Sequence, residues 1–361
     1  MKVIHVDTGV GLRGGQQQLL LLARGLARRG HEQLIVCPEG SALEARARKE
    51  GWRVFSLPGH DPGHANGIVQ LRQFLLGAPA DILHAHDGKG QTIAWLASLG
   101  MNIRRVASRR VTFLPRGRWT HRLKYARTCD AVIAISNFVR QLLVRTGVPQ
   151  ERVEIIPDGV EIPGLLPDNA LRARARAAWG FGADEFVVGH LGACTHEKGQ
   201  GLAVEASRLL ARKLPQVRLL LAGDVSGPAR EALPANVRVL GYPEDLEEFW
   251  AGLDLYLMPS RAEGLGSSAL LAMAHGLAVV ATRVGGLPEI VEEGRTGWLV
   301  PADCPVALAE AIEEAASDPT VLAQFGLKAR ETARLFSSDI MLDRTEALYR
   351  RLLAGTVETT R

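Results

Sequence analysis

The sequence predicts an α/β protein made of two doubly wound parallel sheets. Short apolar stretches alternate with helical stretches along the chain, which is typical of parallel strands joined by helices. A Pro/Gly-rich stretch at residues 157–168 interrupts this alternation and indicates a linker. The chain has 361 residues, 47% of them hydrophobic. A chain of that length favours two domains over a single core.

The first half is predicted to alternate strands and helices from its first residues. The predicted strands are residues 2–7, 33–37, 54–57, 82–86, 105–108, 131–135 and 153–156. The predicted helices are residues 16–29, 43–50, 67–76, 91–99, 119–128 and 137–146. Most residues of these strands are apolar, as expected for strands that helices cover on both faces of a sheet.

The second half repeats this scheme. Its predicted strands are residues 186–192, 217–223, 237–240, 255–258, 278–281 and 298–300. Its predicted helices include residues 202–213, 267–275 and 307–316, and a last helix at 339–353 follows a turn at 336–338. We therefore divide the chain into an N-terminal domain at 1–161, a C-terminal domain at 162–338 and a terminal helical segment at 339–361.

The most informative segment is residues 258–281, MPSRAEGLGSSALLAMAHGLAVVA. Glu263 lies on a turn broken by Gly264 and Gly266, between an apolar strand and a helix that starts near Ser267. The free N–H groups and the dipole of a helix N-terminus favour an anion. A carboxylate beside such a site would repel phosphate but accepts hydrogen bonds from sugar hydroxyls. The segment therefore predicts a site for a sugar joined to a phosphate.

The same segment resembles the donor-binding signature of retaining nucleotide-sugar glycosyltransferases with the GT-B fold. This family includes phosphatidylinositol mannosyltransferases, sucrose-phosphate synthases and lipopolysaccharide-core glucosyltransferases. Three further stretches resemble the family in order and spacing: HLGACTHEKGQ at 190–200, LLLAGD at 219–224 and VGGLPEIVEEGRTGWLVPAD at 284–303. The resemblance implies two Rossmann-like domains facing across a cleft, with residues 339–361 crossing back onto the N-terminal domain.

The resemblance also implies the roles of individual residues. Lys198 would bind the donor diphosphate, Glu263 would orient the donor sugar, and Gly14 and Gly15 would lie beside the donor phosphate. We therefore predict Lys198, Glu263 and Gly15 as catalytic. The remaining predicted donor-binding residues are Gly223, Tyr242, Pro243, Gly264, Leu265, Gly266, Ser267 and Leu271.

Two positions depart from the family pattern. The family usually has a second Glu eight positions after the first, where it contacts the ribose of the donor, and Leu271 stands there. The family usually has an Arg that pairs with the lysine on the diphosphate, and Ala193 occupies the corresponding position. These departures bear on nucleotide affinity and on charge stabilisation in the transition state.

No resident cofactor or metal is expected. No acidic residue ends the second predicted strand to hold a dinucleotide ribose, and the sequence contains no Asp-x-Asp pair. His84 and His86 form an HxH pattern, but no further ligand at suitable spacing accompanies them. The cysteines show no metal-binding spacing and indicate free thiols in a reducing compartment: Cys37, Cys129, Cys194 and Cys304.

Charge divides unevenly between the halves. Residues 1–161 contain 23 Lys and Arg against 13 Asp and Glu, and residues 162–361 contain 20 against 26. The segment that starts at Arg104 and ends at Arg127 holds nine basic residues and no acidic one. It is either an ordinary solvated face or a surface for an anionic acceptor or membrane. No nucleic-acid-reading motif accompanies it.

We expect the acceptor to contact His86, Asp87, Arg109 and Arg110, which follow two neighbouring predicted strands. Arginines at this place favour an anionic glycolipid or saccharide, such as a lipopolysaccharide core. The start of the chain lacks signal-peptide character, so we expect a cytoplasmic protein, peripheral at the inner face of the membrane.

The predicted function is metal-independent, retaining transfer of a sugar from a nucleotide-diphosphate sugar to an acceptor hydroxyl. A nucleotide-sugar 2-epimerase is the alternative enzyme class, because it shares the architecture and needs no acceptor. A catalytically impaired binding protein is the other alternative, because Leu271 and Ala193 remove two usual contacts.

Overall fold

The computed structural model describes residues 1–58, 65–112, 125–223 and 233–355. The chain divides into two compact units, one formed by Met1–Gly159 with Ser338–Arg361 and the other by Val160–Ser337. Each unit contains one parallel sheet with helices against it. The predicted α/β class with two doubly wound sheets is therefore confirmed.

The first unit is built on a seven-stranded sheet in the order β3-β2-β1-β4-β5-β6-β7. Its strands are β1 (Lys2–Val6), β2 (Glu32–Pro38), β3 (Val54–Leu57), β4 (Ile82–Ala85), β5 (Arg104–Arg109), β6 (Ala131–Ala134) and β7 (Val153–Ile155). Its helices are α1 (Gly14–Arg28), α2 (Ala42–Lys49), α3 (Ala65–Gly77), α4 (Gly88–Ala97) and α5 (Asn137–Arg145). The helix predicted at 119–128 lies largely outside the described residues, and its last four residues are helical.

The second unit is built on a six-stranded sheet in the order β10-β9-β8-β11-β12-β13. Its strands are β8 (Phe186–Leu191), β9 (Val217–Ala222), β10 (Val237–Gly241), β11 (Leu255–Met258), β12 (Ala278–Thr282) and β13 (Gly297–Val300). Its helices are α6 (Asn169–Trp179), α7 (Gln200–Lys213), α8 (Leu246–Ala251), α9 (Ser267–Ala274), α10 (Pro305–Ser317) and α11 (Pro319–Arg334).

The helix α12 (Ser338–Ala354) belongs to the first unit although it follows the second in the chain. Leu342 packs directly over Gly25 of α1, where an added Cβ would lie 2.2 Å from the leucine Cδ1. The hydroxyl of Tyr349 lies 2.6 Å from Nδ1 of His84 on β4. One core cluster contains Met341, Leu342, Leu348 and Tyr349 together with Val3 and Leu22. The first unit is thus completed by a distant stretch of the chain.

Strand order places a possible ligand site in each sheet. In the first sheet β1 lies between β2 and β4, and in the second β8 lies between β9 and β11. At such a switch point the connections leave to opposite faces of the sheet and open a crevice at the carboxyl ends of the strands. The loops that follow β1, β4, β8 and β11 are therefore the candidate ligand-binding loops. No described helix is long and apolar enough to span a membrane.

Candidate active site

Lys198 and Glu263 meet at the switch point of the second sheet. Lys198 ends a 3₁₀ turn, His196–Lys198, in the connection that follows β8, and Glu263 lies on the turn after β11. Nζ of Lys198 lies 2.7 Å from Oε2 of Glu263, and the two side chains are 29% and 14% exposed. The structure therefore brings together two residues that are 65 positions apart.

The turn that carries Glu263 leads directly into α9. Oγ of Ser260 donates a hydrogen bond to Oε2 of Glu263 at 3.3 Å. Gly264, Leu265 and Gly266 are buried, and Gly266 is the N-cap residue of α9, which begins at Ser267. The first turn of α9 contains no acidic side chain. Its N-terminal amides are thus suited to an anion beside the Lys198–Glu263 pair.

Two glycines allow the surrounding backbone segments to touch. A Cβ on Gly199 would lie 2.0 Å from the carbonyl oxygen of Pro259, and its φ is +67°. A Cβ on Gly285 would lie 1.8 Å from the carbonyl oxygen of Glu263, and its φ is +55°. Side chains are excluded at both positions by contact and by backbone conformation. The turns that present Lys198 and Glu263 therefore rest on main-chain contacts.

The other predicted donor residues follow neighbouring strands of the same sheet. Gly223 follows β9, and its N–H donates to the carbonyl of Gly241 at 2.6 Å. Tyr242 is 60% exposed and Pro243 is buried after β10. Leu271 is partly buried on α9, and Ala193 is partly buried after β8. A partly buried Leu271 can pack without a ligand, which agrees with its apolar character.

His190 lies on β8 near the Lys198 turn, and no motif in the sequence indicates a role for its side chain. It is fully buried, and Nδ1 lies 3.0 Å from the carbonyl oxygen of Leu257. A carbonyl only accepts, so Nδ1 carries the proton and Nε2 carries a lone pair. Nε2 has no hydrogen-bond partner among the described residues. Burial, helped by the nearby charge of Lys198, lowers the pKa of His190 to about 4.

Gly14 and Gly15 begin α1 after the connection from β1 in the first unit. Gly14 is exposed and Gly15 is partly buried. Cδ of Arg110 lies 3.8 Å from the position a Cβ on Gly15 would take, so the arginine stem passes beside the start of the helix. Nε of Arg110 forms an ion pair with Oδ1 of Asp158 at 2.9 Å.

All four predicted acceptor residues are engaged within the protein, Arg110 through its ion pair with Asp158. His86 and Arg109 are each 5% exposed. The carboxylate of Asp87 caps α4 by accepting from the N–H groups of Lys89 and Gly90 at 2.7 and 2.8 Å. It also accepts from the hydroxyl of Thr8 at 2.9 Å and from the backbone N–H of that residue. These contacts give Asp87 a structural role in this conformation, and burial leaves little of His86 and Arg109 exposed.

His84 and His86 do have a third histidine beside them. His5 on β1 pairs in register with His84 on β4, and ring nitrogens of His5, His84 and His86 lie within 4.8 Å of one another. The sequence prediction that no further ligand accompanies this pair was therefore wrong, because the fold places His5 beside it. Local spacing could not reveal His5, because the sheet brings it from 79 residues away.

Hydrogen bonds already occupy the nitrogens of this histidine cluster. Because Arg110 can only donate, its contact with Nδ1 of His86 at 3.3 Å fixes the proton of that ring on Nε2. His86 then donates to Nδ1 of His5 at 3.0 Å, and His5 donates to Oε1 of Gln33 at 2.8 Å. Burial lowers the pKa of all three histidines, to about 4 for His5. A metal ion would have to break these bonds beside the charge of Arg110, so the cluster fits a neutral network better than a metal centre.

Residues 113–124 of the predicted basic surface lie outside the described residues. Among its described members, Arg104 and Arg105 both approach the carboxylate of Asp130, at 3.2 and 3.7 Å. The carboxylate of Asp130 therefore partly neutralises the positive charge of these two arginines.

Family models match both halves of the chain. One described as "Glycosyl transferases group 1" matches residues 185–318, and one described as "Glycosyltransferase Family 4" matches residues 12–162. The chain is 31% identical over 353 residues to a GDP-mannose-dependent alpha-(1-6)-phosphatidylinositol monomannoside mannosyltransferase of Mycolicibacterium smegmatis. That match covers 89% of this chain and 90% of the relative. A D-inositol 3-phosphate glycosyltransferase of Saccharomonospora viridis is 27% identical, covering 83% and 76%.

Solved structures share the fold. Anabaena Alr3699/HepE in complex with UDP-glucose has a TM-score of 0.84 and 23% identity, covering 99% of this chain and 100% of its own. A glycosyltransferase from Rickettsia africae has a TM-score of 0.85 and 21% identity, with 98% of each chain covered. The fold and the matched families define a glycosyltransferase of the GT-B class. The chain belongs to the group 1 glycosyltransferases, and the family predicted from its motifs is confirmed.

Proposed function

We propose that this glycosyltransferase moves a sugar from a nucleotide-diphosphate sugar to a hydroxyl of an anionic glycolipid or saccharide, with retention of configuration and without a metal ion. The observation that carries the proposal is the pairing of Lys198 with Glu263 beside the start of α9. A cation, a carboxylate and the positive end of a helix dipole together match a diphosphate and the hydroxyls of its sugar. The GDP-mannose-dependent relative and the neighbour solved with UDP-glucose support this donor class.

Donor binding would divide the ion pair between two parts of the ligand. The ammonium of Lys198 would turn to the diphosphate, and the carboxylate of Glu263 would accept hydrogen bonds from the sugar. As the glycosidic bond breaks, negative charge grows on the leaving diphosphate. Lys198 and the amides near Gly266 and Ser267 would stabilise that charge, and this arrangement can supply what a divalent ion supplies elsewhere. We place Tyr242 and Pro243 beside the base.

Retention follows if the acceptor hydroxyl attacks on the face that the diphosphate leaves. The departing phosphate would then accept the proton of the hydroxyl, and we assign no covalent intermediate on the protein. Gly15 would lie beside the reacting carbon, where a side chain would interfere.

We assign acceptor recognition to the first unit. Its excess of basic residues supports an anionic acceptor such as a lipopolysaccharide-core intermediate. Arg110 is the predicted acceptor residue best placed for this role, because it is partly exposed beside Gly15. The segment of residues 104–127 would hold the enzyme at the inner face of the membrane through anionic lipid headgroups.

A thermal-shift screen tests the donor site. UDP, GDP and ADP and their sugars are added with and without magnesium to the wild type, Lys198→Ala and Lys213→Ala. Lys213 is the matched control, since it forms an exposed ion pair with Glu313 at 3.2 Å in the same unit. We expect one nucleotide to stabilise the wild type and Lys213→Ala without magnesium, and to fail with Lys198→Ala.

Product analysis with the stabilising donor separates the candidate activities. A new glycoside whose anomeric configuration matches the donor supports retaining transfer, and an inverted glycoside contradicts retention. An isomerised donor indicates the 2-epimerase. Donor binding without turnover on any acceptor, with Leu271 and Ala193 as the physical reason, indicates the impaired binding protein. Thermal stabilisation by a nucleotide or its sugar that appears only with magnesium contradicts metal independence.

A further inference from the structure

Arg261 lies two residues before Glu263 and contacts two other segments of the second unit. Its backbone N–H donates to the carbonyl of Glu197 at 2.7 Å. Its Nη1 donates to the carbonyl of His196 at 3.0 Å. Its Nε forms a charge-assisted hydrogen bond with the carboxylate of Asp303. The side chain is only 26% exposed, so the guanidinium is held between these segments.

These contacts join the turn that carries Lys198 to the turn that carries Glu263. His196 and Glu197 belong to the 3₁₀ turn that ends in Lys198. The N–H of Ala262, next to Arg261, also points at the carbonyl of Glu197, at 3.4 Å. Long Lys and Glu side chains reach one another over a range of backbone separations. The separation of the two turns therefore decides whether both charged groups can act on one ligand at once.

Asp303 has an unusual backbone. It is the one non-glycine residue with positive φ in the described ranges, at +56°. Aspartate tolerates this left-handed conformation better than most residues. The conformation brings its carboxylate to Arg261 from the turn between β13 and α10, although the side chain itself is 61% exposed. Asp303 thus anchors the far side of the guanidinium.

We propose that Arg261 is a positioning residue, which sets the spacing between the ammonium of Lys198 and the carboxylate of Glu263 by joining their turns. This inference rests on the proposed function, in which those two groups bind the diphosphate and the sugar of one donor. Arg261 acts through the carbonyl of His196 and the carboxylate of Asp303 and touches no donor atom.

The guanidinium suits this role because it has several donors in a fixed plane. Nη1 reaches the carbonyl of His196 while Nε reaches the carboxylate of Asp303. A lysine at position 261 would keep the charge, but the donors of its ammonium rotate about one atom and would not fix the two acceptors in one plane. We therefore expect Arg261→Lys to behave between the wild type and Arg261→Ala.

The experiment compares binding of a nucleotide with binding of its sugar. Isothermal titration uses the pairs UDP with UDP-glucose and GDP with GDP-mannose, on the wild type, Arg261→Lys and Arg261→Ala. Misplacing a binding group by about 1 Å can cost up to ~100-fold. We expect Arg261→Ala to reduce the extra affinity that the sugar contributes by about tenfold or more, and to lower kcat/KM for the donor correspondingly.

Arg218 provides the matched control. It has the same 26% exposure and pairs with the carboxylate of Glu185. It also donates to the carbonyl of Pro215 at 2.7 Å. It lies at the amino end of β9, opposite the donor loops. We expect Arg218→Ala to lower the melting temperature about as much as Arg261→Ala while leaving the ratio of sugar-nucleotide to nucleotide affinity unchanged.

Asp303→Asn covers the case in which Arg261→Ala fails to fold, because Asp303 is largely exposed and its loss removes only one anchor. It should shift the affinity ratio in the same direction by a smaller factor. An unchanged ratio in both variants, or equal changes in Arg261→Ala and Arg218→Ala, would overturn the proposal. If Lys198→Ala still binds the donor, the proposed function itself fails. If Lys198→Ala loses the donor but the ratio of sugar-nucleotide to nucleotide affinity is unchanged in the Arg261 and Asp303 variants, only the positioning role fails.

Discussion

His190 should make the second unit sensitive to acid. The imidazole is fully buried on β8, donates to the carbonyl of Leu257 and lies close to Lys198. In the folded protein it stays neutral down to a pKa of about 4, whereas its usual value is 6.5. Between pH 6.5 and about 4, the unfolded chain therefore binds a proton at His190 that the folded chain does not bind. The contribution of His190 to the free energy of unfolding is fully present above pH 6.5 and is lost as the pH drops toward 4.

The size of this effect follows from the pKa difference. Each pKa unit corresponds to about 1.4 kcal/mol, so a lowering from 6.5 to about 4 removes about 3 kcal/mol of unfolding free energy between pH 7 and pH 4. That loss is a large part of the stability of an ordinary domain, which is ~5–15 kcal/mol. His190→Asn should abolish it, because the asparagine amide can still donate to the carbonyl of Leu257 but does not titrate.

Urea unfolding at pH 7, 6, 5 and 4 measures the effect through tryptophan fluorescence, to which Trp179, Trp250 and Trp298 contribute from the same unit. The wild type should lose about 3 kcal/mol more than His190→Asn over this range. His196→Asn removes an exposed histidine from the same unit and controls for the loss of an imidazole. If the wild type and His190→Asn lose stability in parallel, the reasoning from burial is refuted.

Two further results are expected. Leu271→Glu, at the place of the second family glutamate, should strengthen UDP or GDP binding about tenfold, equivalent to ~1.4 kcal/mol from a hydrogen bond to a charged group; titration calorimetry measures this against Leu271→Gln, and no gain for either nucleotide contradicts the placement of the donor. Tyr349→Phe should lower the free energy of unfolding by about 1–3 kcal/mol, because it removes the partner of Nδ1 of the buried His84. Urea denaturation checks this value, with Tyr242→Phe as the exposed control, and equal stabilities would show that the contact contributes nothing.

The sequence was most informative where function depends on a short contiguous stretch. Glycines, a carboxylate and a helix start lie together around Glu263, and their order indicates an anion and sugar site without knowledge of the fold. The alternation of apolar strands with helices likewise indicates the two parallel sheets. Both signals are local, so they survive in the linear sequence.

Contacts across the sheet were beyond local reasoning. His5 joins His84 and His86 only because β1 pairs with β4. Asp87, which is predicted to contact the acceptor, also caps α4 and accepts a hydrogen bond from Thr8 on another connection. In such cases the residue type indicated polarity, and the three-dimensional partner decided how that polarity is used.

The role of Arg261 was hidden for a related reason. Its position within the donor motif is visible in the sequence, but its partners come from the turns after β8 and β13. The bond to His196 is made to a backbone carbonyl, which every residue has. A sequence pattern consists of side-chain identities, so it cannot indicate this hydrogen bond to a backbone carbonyl.

The place of α12 has a consequence for how the molecule is made. Its side chains Leu342 and Tyr349 fill the same core as Val3 and Leu22, yet they follow the whole second unit in the chain. Domains generally fold in the order in which the ribosome releases them. Here the second unit can fold as soon as it emerges, whereas the first keeps an apolar face open until α12 arrives. During synthesis the earlier half of the chain is therefore the last to be finished.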